Sequence, residues 1–539
     1  AQSTSQQTID RVVQYCKMLG KVVIVCGDRP GFVVNRFFVP WLNEACLLLE
    51  EGHGTAAQID AIACKAFRIG LGPFGLMNLT GPPIALHSTD YLAEQLETPR
   101  YDGAGNLREL VGDNRMWEIE EDNSYTEDQY ESISRRLYGV VFGVAAQIVD
   151  EGVCSIEDVD RGAKVGLRWA RGPFELMNRV GVKASFEMAQ EYLALCRDDQ
   201  GESNWKIPQF FTDRASNDSA WDFSYVDTSI NEGVATITIN RPEAMNALNE
   251  TVIEQLGDAI AAVNSDDSVH TMVLDGAGKA FVAGADVKFF VDKIRSDSID
   301  DIVEFTTNGH KVLNSIENSP KTTIALTTGL ALGGGLELAL CCDYRIGTRR
   351  TQFRFPETSI GIYPGLGGSQ RPARISGIPL ARWAVLGGNF MNAQTAYDIG
   401  LLTHLVDLAE VEQATSSCIH TGKPAEKYPG RPNNRESSVV KFATDFYSDS
   451  NLATLLSGGC PEGYDAEDKT ISRQLKNLKY TAPIALSMAS ELIDITANTT
   501  LEQGLNSELA KLTDIFSTRD ALEGLSALIE GRRATYNNS

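Results

Sequence analysis

The first 200 residues of this chain contain an internal repeat with a spacing of 100 positions. Residues 51–81 recur as residues 151–181, with twelve of the thirty-one positions identical. The strongest match is Gly-Pro-Phe-x-Leu-Met-Asn, which begins at Gly72 and again at Gly172. Proline directly after glycine suits the first turn of a helix. The repeat therefore predicts two copies of one helical unit.

Helical periodicity supports that interpretation. Thr126 and Gln129 form a capping-box start for a helix over 126–150, whose apolar residues recur at the 3.6-residue period. The matching helix of the first copy is predicted over about 32–51. Residues 197–222 are rich in Asp, Ser and Asn and lack this periodicity, which predicts a linker.

The pattern changes after Phe223. Short β-branched runs at 233–240, 269–274 and 322–326 predict strands, and 251–263 predicts a helix between them. Strands that alternate with helices indicate an α/β core. Residues 421–474 are polar and turn-rich and predict an insertion, after which helices resume over 482–530.

One segment of the α/β half combines a glycine cluster with glutamates, one of which lies among apolar residues. Gly333, Gly334 and Gly335 open an apolar helix that carries Glu337, and Glu357 follows twenty positions later. Glycine loses the most backbone entropy on folding, and a carboxylate among apolar residues resists burial. The pattern indicates a backbone N–H aimed at a developing oxyanion, with two glutamates for proton transfer.

Composition excludes several classes of partner. The formal net charge of −24 argues against nucleic acid and against an anionic membrane surface. No apolar run approaches the roughly 18 residues of a membrane span. Ten cysteines without a CxxC pair indicate reduced thiols and a cytoplasmic protein. The six histidines have no metal-ligand spacing, so we expect no metal site.

Three motifs in the second half match one known family. They are residues 240–248 (NRPEAMNAL), residues 281–288 (FVAGADVK), and the glycine-glutamate helix together with residues 355–368. In order and spacing they resemble the crotonase superfamily of enoyl-CoA hydratases, over about 223–539. The resemblance implies a spiral of ββα units with C-terminal helices that pack in trimers. The whole chain is then multidomain: a duplicated all-α part, followed by an α/β crotonase core over 223–420.

The resemblance also implies roles for individual residues. The backbone N–H groups of Ala285 and Gly334 would form the oxyanion hole for a thioester carbonyl. Glu337 would be the principal base that orients water and Glu357 the proton donor, although the two roles could be shared or reversed. Gly365 matches the hydratases, whereas isomerases often keep only one of the two carboxylates.

Coenzyme A recognition is implied at four positions. The backbone near Ala244 and Ala283 would contact the coenzyme A moiety of the substrate, and the Lys288 side chain would lie near the phosphates of coenzyme A. Phe516 would help to cover the coenzyme A of a neighbouring subunit. The insertion at 421–474 leaves the size of the acyl group open.

The first half resembles the C-terminal helical part of 3-hydroxyacyl-CoA dehydrogenases, through residues 28–36 (DRPGFVVNR) and the repeated motif. We expect the copies to span 28–125 and 126–196. The resemblance makes Asn35 a dehydrogenase substrate contact, whereas in isolation such a residue would be a helix cap or first-turn residue. Residues 1–27 look like the last helix and exit strand (21–26) of a dinucleotide-binding domain.

The expected function follows from the two resemblances together. The chain is interpreted as a dehydrogenase–hydratase fusion without its dinucleotide-binding domain, so NAD would serve only a longer protein and the dehydrogenase would be inactive here. The remaining activity is the reversible hydration of a trans-2-enoyl-CoA, such as crotonyl-CoA, without a cofactor. The alternatives are an enoyl-CoA isomerase and, for the helical half, a non-catalytic assembly scaffold. We expect a homo-oligomer based on the hydratase trimer, with a dimer contact through the helical part as a further option.

Overall fold

A computed structural model describes residues 4–196 and 205–539. The chain divides into two compact units. The first comprises Ala1–Tyr15 and Val23–Ser224, and the second comprises Cys16–Val22 and Tyr225–Ser539. The described helices include none that is both long enough and apolar enough to cross a membrane.

The regular secondary structure of the first unit is helical in its described residues. Its helices, with α1 opening the chain, are α1 (Gln6–Met18), α2 (Val34–Glu50), α3 (Ala56–Phe67), α4 (Pro73–Thr80), α5 (Pro82–Leu96), α6 (Gly105–Gly112), α7 (Glu127–Asp150), α8 (Ile156–Arg161), α9 (Pro173–Val180), α10 (Val182–Leu195) and α11 (Gln209–Ser216). Helix α7 begins with the predicted capping box, and the apolar faces of α2 and α7 lie in one continuous core.

The duplication predicted from the sequence is visible in the hydrogen bonds of the two copies. In the first copy, the Asp60 carboxylate accepts from the N–H groups of Phe74 (2.8 Å) and Gly75 (2.9 Å). In the second copy, Asp160 binds the equivalent two amides of its own turn at the same distances. Each aspartate thus satisfies the first free N–H groups of the helix that starts at Pro73 or Pro173.

The second copy extends further than the sequence indicated. Asn78 exchanges two hydrogen bonds with the backbone of Trp117, and Asn178 does the same with Trp221. The expected linker over 197–222 is therefore wrong for its described part, 205–222, which contains helix α11 and the buried Trp221. Isolated aromatics among polar residues gave no periodic signal, yet they complete the core of the second copy.

The exit strand expected over 21–26 is also absent from the described structure, where these residues are irregular. A strand needs a neighbour for its backbone groups. Here the Lys21 N–H donates to the Cys16 carbonyl at the end of α1 (3.0 Å), and just beyond the segment the Gly27 N–H donates to the Val153 carbonyl (2.8 Å).

The second unit contains two sheets. Their strands are β1 (Val226–Asn231), β2 (Val234–Ile239), β3 (Thr271–Gly276), β4 (Ala280–Ala283), β5 (Thr322–Thr327), β6 (Leu330–Leu332), β7 (Tyr344–Gly347), β8 (Gln352–Arg354), β9 (Met391–Asn392) and β10 (His404–Leu405). The larger sheet has the order β1-β2-β3-β5-β7-β10 and the smaller one β4-β6-β8-β9. Only the β1–β2 and β8–β9 pairs are antiparallel.

Successive strands alternate between the two sheets. β3, β5 and β7 each enter the larger sheet, and the strand that follows each of them enters the smaller one. The chain then returns through helical segments to the next pair of strands. This is the spiral of ββα units that the resemblance implied, and it brings the ends of β4, β6 and β8 side by side.

Helices complete the second unit. They are α12 (Glu250–Ser265), α13 (Val287–Arg295), α14 (Ile299–Glu317), α15 (Gly334–Leu340), α16 (Arg371–Ser376), α17 (Ile378–Val385), α18 (Ala393–Asp398), α19 (Val411–Thr421), α20 (Ser438–Phe446), α21 (Asp449–Leu456), α22 (Lys469–Lys479), α23 (Pro483–Asp494), α24 (Leu501–Ala510), α25 (Leu512–Phe516) and α26 (Arg519–Glu530). Helices therefore resume inside the expected insertion, at Ser438, because Val440, Phe446 and Leu455 bury apolar side chains.

Candidate active site

The glycine cluster marks the point where β6 turns into helix α15. Gly333 has φ +48°, in the region that favours glycine, and a Cβ there would lie 2.3 Å from the Glu357 carboxylate. At Gly335 a Cβ would lie only 2.0 Å from the Val282 carbonyl oxygen. The cluster is therefore required for the close approach of α15 to β4 and for room beside Glu357.

Two backbone N–H groups, one after β4 and one at the start of α15, have no acceptor among the described residues. Gly334 is the first residue of α15, so its N–H has no partner within the helix. Leu248 forms a parallel bridge with Ala285, using the Leu248 N–H to Gly284 and its carbonyl to Asp286 (2.9 and 2.8 Å). That bridge leaves the Ala285 N–H on the opposite side, and both Ala285 and Gly334 line one cavity.

Glu337 lies one turn further along α15, with 2% of its surface exposed. Its Oε1 accepts hydrogen bonds from the N–H groups of Leu366 and Gly368, each at 2.7 Å. Burial raises the pKa of this carboxyl to about 7, although the two amides and Arg371 act to lower it. Its Oε2 has no hydrogen-bond partner within the described residues.

Glu357 follows β8 and is 7% exposed. Its Oε2 is buried without a hydrogen-bond partner in the described structure. Burial and then the charge of Glu337 raise the pKa of Glu357 well above its usual value. The environments differ, since Glu337 receives two N–H donors from another segment, whereas only its own N–H group and Arg354 act to lower the pKa of Glu357. At neutral pH this asymmetry favours an ionised Glu337 beside a protonated Glu357.

These groups line a mainly apolar cavity of about 250 Å³. Ala283, Gly365 and Phe516, three residues that the family resemblance singled out, also line this cavity. The remaining wall was not predicted and is largely apolar, consisting of residues such as Val287, Phe290, Phe305, Ile360, Leu512 and Leu525. Such residues give no chemical signal in a sequence, because each is indistinguishable from ordinary core.

Phe516 packs against another ring of the cavity wall. It stacks on Phe290 of the same chain, with ring centroids 5.3 Å apart, and is buried. It forms part of its own chain's cavity wall, and its contact with the coenzyme A of a neighbouring subunit stays a prediction. Helices α25 and α13 bring the two rings together.

Three predicted residues lie outside the cavity wall. Ala244 is in a short 3₁₀ turn, where it is half-buried, and Lys288 is exposed in the first turn of α13. Asn35 belongs to the helical unit and is exposed in the first turn of α2. For Asn35 this matches the first-turn position, which was the alternative to a substrate contact in the sequence analysis.

A third buried carboxylate was missed by sequence reasoning. Glu508 in α24 is fully buried and accepts hydrogen bonds from Gly367 and Ser369, residues adjacent to those that bind Glu337. No motif in α24 distinguishes it from Glu502, which is exposed on the same helix. Among the described residues, no cluster of His, Cys, Asp and Glu is arranged to hold a metal ion.

Two known families match this chain. The sequence model of the family described as enoyl-CoA hydratase/isomerase matches residues 234–537, more than half of the chain. The chain belongs to the enoyl-CoA hydratase/isomerase family. The C-terminal domain of 3-hydroxyacyl-CoA dehydrogenase matches residues 31–127 and 133–216, so this family member is fused to such a domain.

Several curated relatives are similar to part of this chain. A crotonyl-CoA hydratase from Syntrophomonas wolfei is 40% identical over 199 residues, 36% of this chain and 75% of that protein. A short-chain-enoyl-CoA hydratase from Clostridium acetobutylicum is 37% identical, covering 33% of this chain and 67% of that protein. A probable enoyl-CoA hydratase from Rhizobium meliloti is 31% identical, covering 57% and 95%.

Proposed function

We propose that this chain catalyses the reversible addition of water to a trans-2-enoyl-CoA, with a short acyl chain such as crotonyl-CoA, to give the 3-hydroxyacyl-CoA. The observation that carries the proposal is the pair of buried glutamates in unlike environments on one apolar cavity. Two relatives bear the names of hydratases for short enoyl-CoA thioesters. The reaction uses only water and the thioester, so it needs no cofactor.

The proposed mechanism assigns one task to each group. The thioester oxygen would accept hydrogen bonds from the N–H groups of Ala285 and Gly334, which stabilise the enolate formed when water attacks Cβ. Glu337, as the carboxylate, would take a proton from that water. Glu357, as the neutral acid, would deliver a proton to Cα. Each turnover leaves the two glutamates with exchanged protonation states, which solvent exchange restores.

The wall of the cavity supports a hydrocarbon acyl group. Val287, Phe305, Leu512 and Leu525 offer apolar contacts, and burial of each methylene contributes about 0.8 kcal/mol. We place the coenzyme A moiety beside Ala244, Ala283 and Lys288 within the same proposal. Lys288 is exposed and so is available to an anionic phosphate.

The direct test is hydration of crotonyl-CoA by the purified chain without NAD, followed as loss of the conjugated enoyl thioester absorbance. Glu337→Gln and Glu357→Gln are each expected to lower kcat by at least about 10²-fold. Glu304→Gln, on the exposed face of α14, is the matched control and should keep the parent rate. Parent rates in both active-site variants would refute the mechanism.

The same preparation separates hydration from isomerisation. A trans-3-enoyl-CoA would become conjugated without taking up water if the chain were an isomerase. We expect no such product, because two carboxylates rather than one face the cavity.

For the whole protein we propose a hydratase trimer in a reducing cytoplasm, which the ten free cysteines support. Within the same proposal, the helical unit is non-catalytic in this chain. Sedimentation measurements test the trimer.

A further inference from the structure

The loop formed by residues 365–369, here called the glycine loop, is held by two buried carboxylates from opposite directions. Glu508 Oε2 accepts from the Gly367 N–H at 2.7 Å, and its Oε1 accepts from the Ser369 N–H at 3.1 Å. The Ser369 hydroxyl donates to the same Oε1. The N–H groups that bind Glu337 alternate with these along the loop. Four buried amides are thus divided evenly between two glutamates.

Other buried groups hold the same arrangement. The Tyr363 hydroxyl donates to the backbone carbonyl of Glu508 at 2.5 Å. His310 Nε2 lies 2.6 Å from the Gly365 carbonyl oxygen and 3.7 Å from Glu508 Oε2. Burial lowers the pKa of His310 to about 4, so its ring is neutral at pH 7 and donates from Nε2–H to the carbonyl. The loop is therefore fixed at a carbonyl as well as at its amides.

The geometry assigns Glu508 as the positioning residue of the general base: it holds the glycine loop so that two loop amides fix Glu337 Oε1 and leave Oε2 free. This inference rests on the proposed role of Glu337 as the base. A base must be held close to its productive geometry by groups that are themselves fixed. Glu508 is suited to this, because each of its two carboxyl oxygens lies within hydrogen-bond distance of a loop N–H group.

The charge of Glu508 is consistent with the assignment. Burial, followed by repulsion from Glu337, raises the pKa of Glu508 to about 8, so it is mainly neutral at pH 7. It can bind the loop without placing a second negative charge against the base. The other titratable groups that face the two glutamates are His310, Cys341, Glu357, Tyr363, Arg371 and Arg374.

Glu508→Gln tests the assignment in the full chain. An amide nitrogen cannot accept a hydrogen bond, so the variant presents a donor to either the Gly367 or the Ser369 N–H and displaces the loop. We expect kcat for crotonyl-CoA to fall at least about tenfold with KM within about twofold, because the oxyanion donors stay in place. We also expect a higher pKa for Glu337, which loses N–H donors.

The pKa of Glu337 can be measured without turnover. Infrared titration follows its carboxylate band, assigned by the band's absence in Glu337→Gln. Glu44→Gln replaces a buried glutamate of the helical unit and should leave both the kcat and this pKa unchanged. If Glu508→Gln does not fold, Ser369→Ala removes one hydroxyl bond to Glu508 and should move both quantities in the same direction by less.

The outcomes distinguish the two proposals. A folded Glu508→Gln protein with unchanged kcat and unchanged Glu337 pKa overturns the assignment, as does an activity loss that only follows the amount of folded protein. Where Glu508→Gln fails to fold, an unchanged Ser369→Ala protein overturns it. If the parent chain does not hydrate crotonyl-CoA but the Glu337 pKa still shifts, the proposed function fails and the positioning by Glu508 stands.

Discussion

The acid side of the pH–rate profile is the sharpest consequence of burying Glu337. Its carboxyl has an ordinary pKa of 4.5 and a pKa of about 7 in this site, because burial disfavours the charged form. The difference corresponds to about 3 kcal/mol between the two protonation states. As a base, Glu337 works only when ionised, so activity must fall as pH drops below about 7.

The size of the effect separates this site from an ordinary glutamate. With a pKa of 7, about one tenth of the molecules carry the carboxylate at pH 6 and about one hundredth at pH 5. We therefore expect kcat/KM for crotonyl-CoA to fall about tenfold and about a hundredfold at these pH values. A glutamate with its usual pKa would still be about three-quarters ionised at pH 5.

The assay is initial-rate hydration between pH 5 and pH 9, at substrate concentrations that define kcat/KM for the free enzyme. The acid limb of the pH–rate profile belongs to the Glu337–Glu357 pair, whose titrations are coupled. The pKa of His310 is about 4 and that of Glu508 is about 8, so neither group produces the fall in rate between pH 7 and pH 5. Circular dichroism at each pH, with recovery of the rate on return to pH 8, excludes unfolding. A flat profile down to pH 5 would refute the reasoning.

Further predictions concern the high-pH limb, the glycine cluster, the repeat and the dehydrogenase part. At high pH kcat/KM should decline as Glu357, whose pKa is raised by burial and by the charge of Glu337, loses its proton, and a profile without a high-pH limb would contradict its role as the acid. Gly333→Ala should lower kcat at least about tenfold by pressing on Glu357 in a disfavoured backbone region, whereas Gly112→Ala, with open space for its Cβ, should not change kcat. Asp160→Ala should lower the urea-derived unfolding free energy by about 1–2 kcal/mol, more than the less buried Asp60→Ala, and equal losses would show that burial does not decide the effect. With NAD and 3-hydroxybutyryl-CoA the chain should form no NADH. An increase in NADH fluorescence after the chain is added would disprove an inactive dehydrogenase part.

Local sequence patterns predicted the elements of this protein well where the signal was periodic or exact. The capping box at Thr126 and the strand at 233–240 correspond to α7 and β2. Patterns failed where tertiary contacts determine structure. Residues 21–26 resemble a strand but have too few backbone partners to form one. Trp221 looks isolated in a polar segment, yet Asn178 and the core around it make it part of the second copy.

The sequence alone determined the duplication, the family and the glutamates, because repeated residues, glycine spacing and acid in apolar surroundings are visible without coordinates. Only the tertiary structure decided how Glu337 and Glu357 differ. One receives two amides of the glycine loop and the other receives none, and the loop depends on Glu508, about 140 residues later. A carboxyl group's pKa and orientation depend on the solvent it loses and the donors it gains, and both are set by segments that only folding brings together.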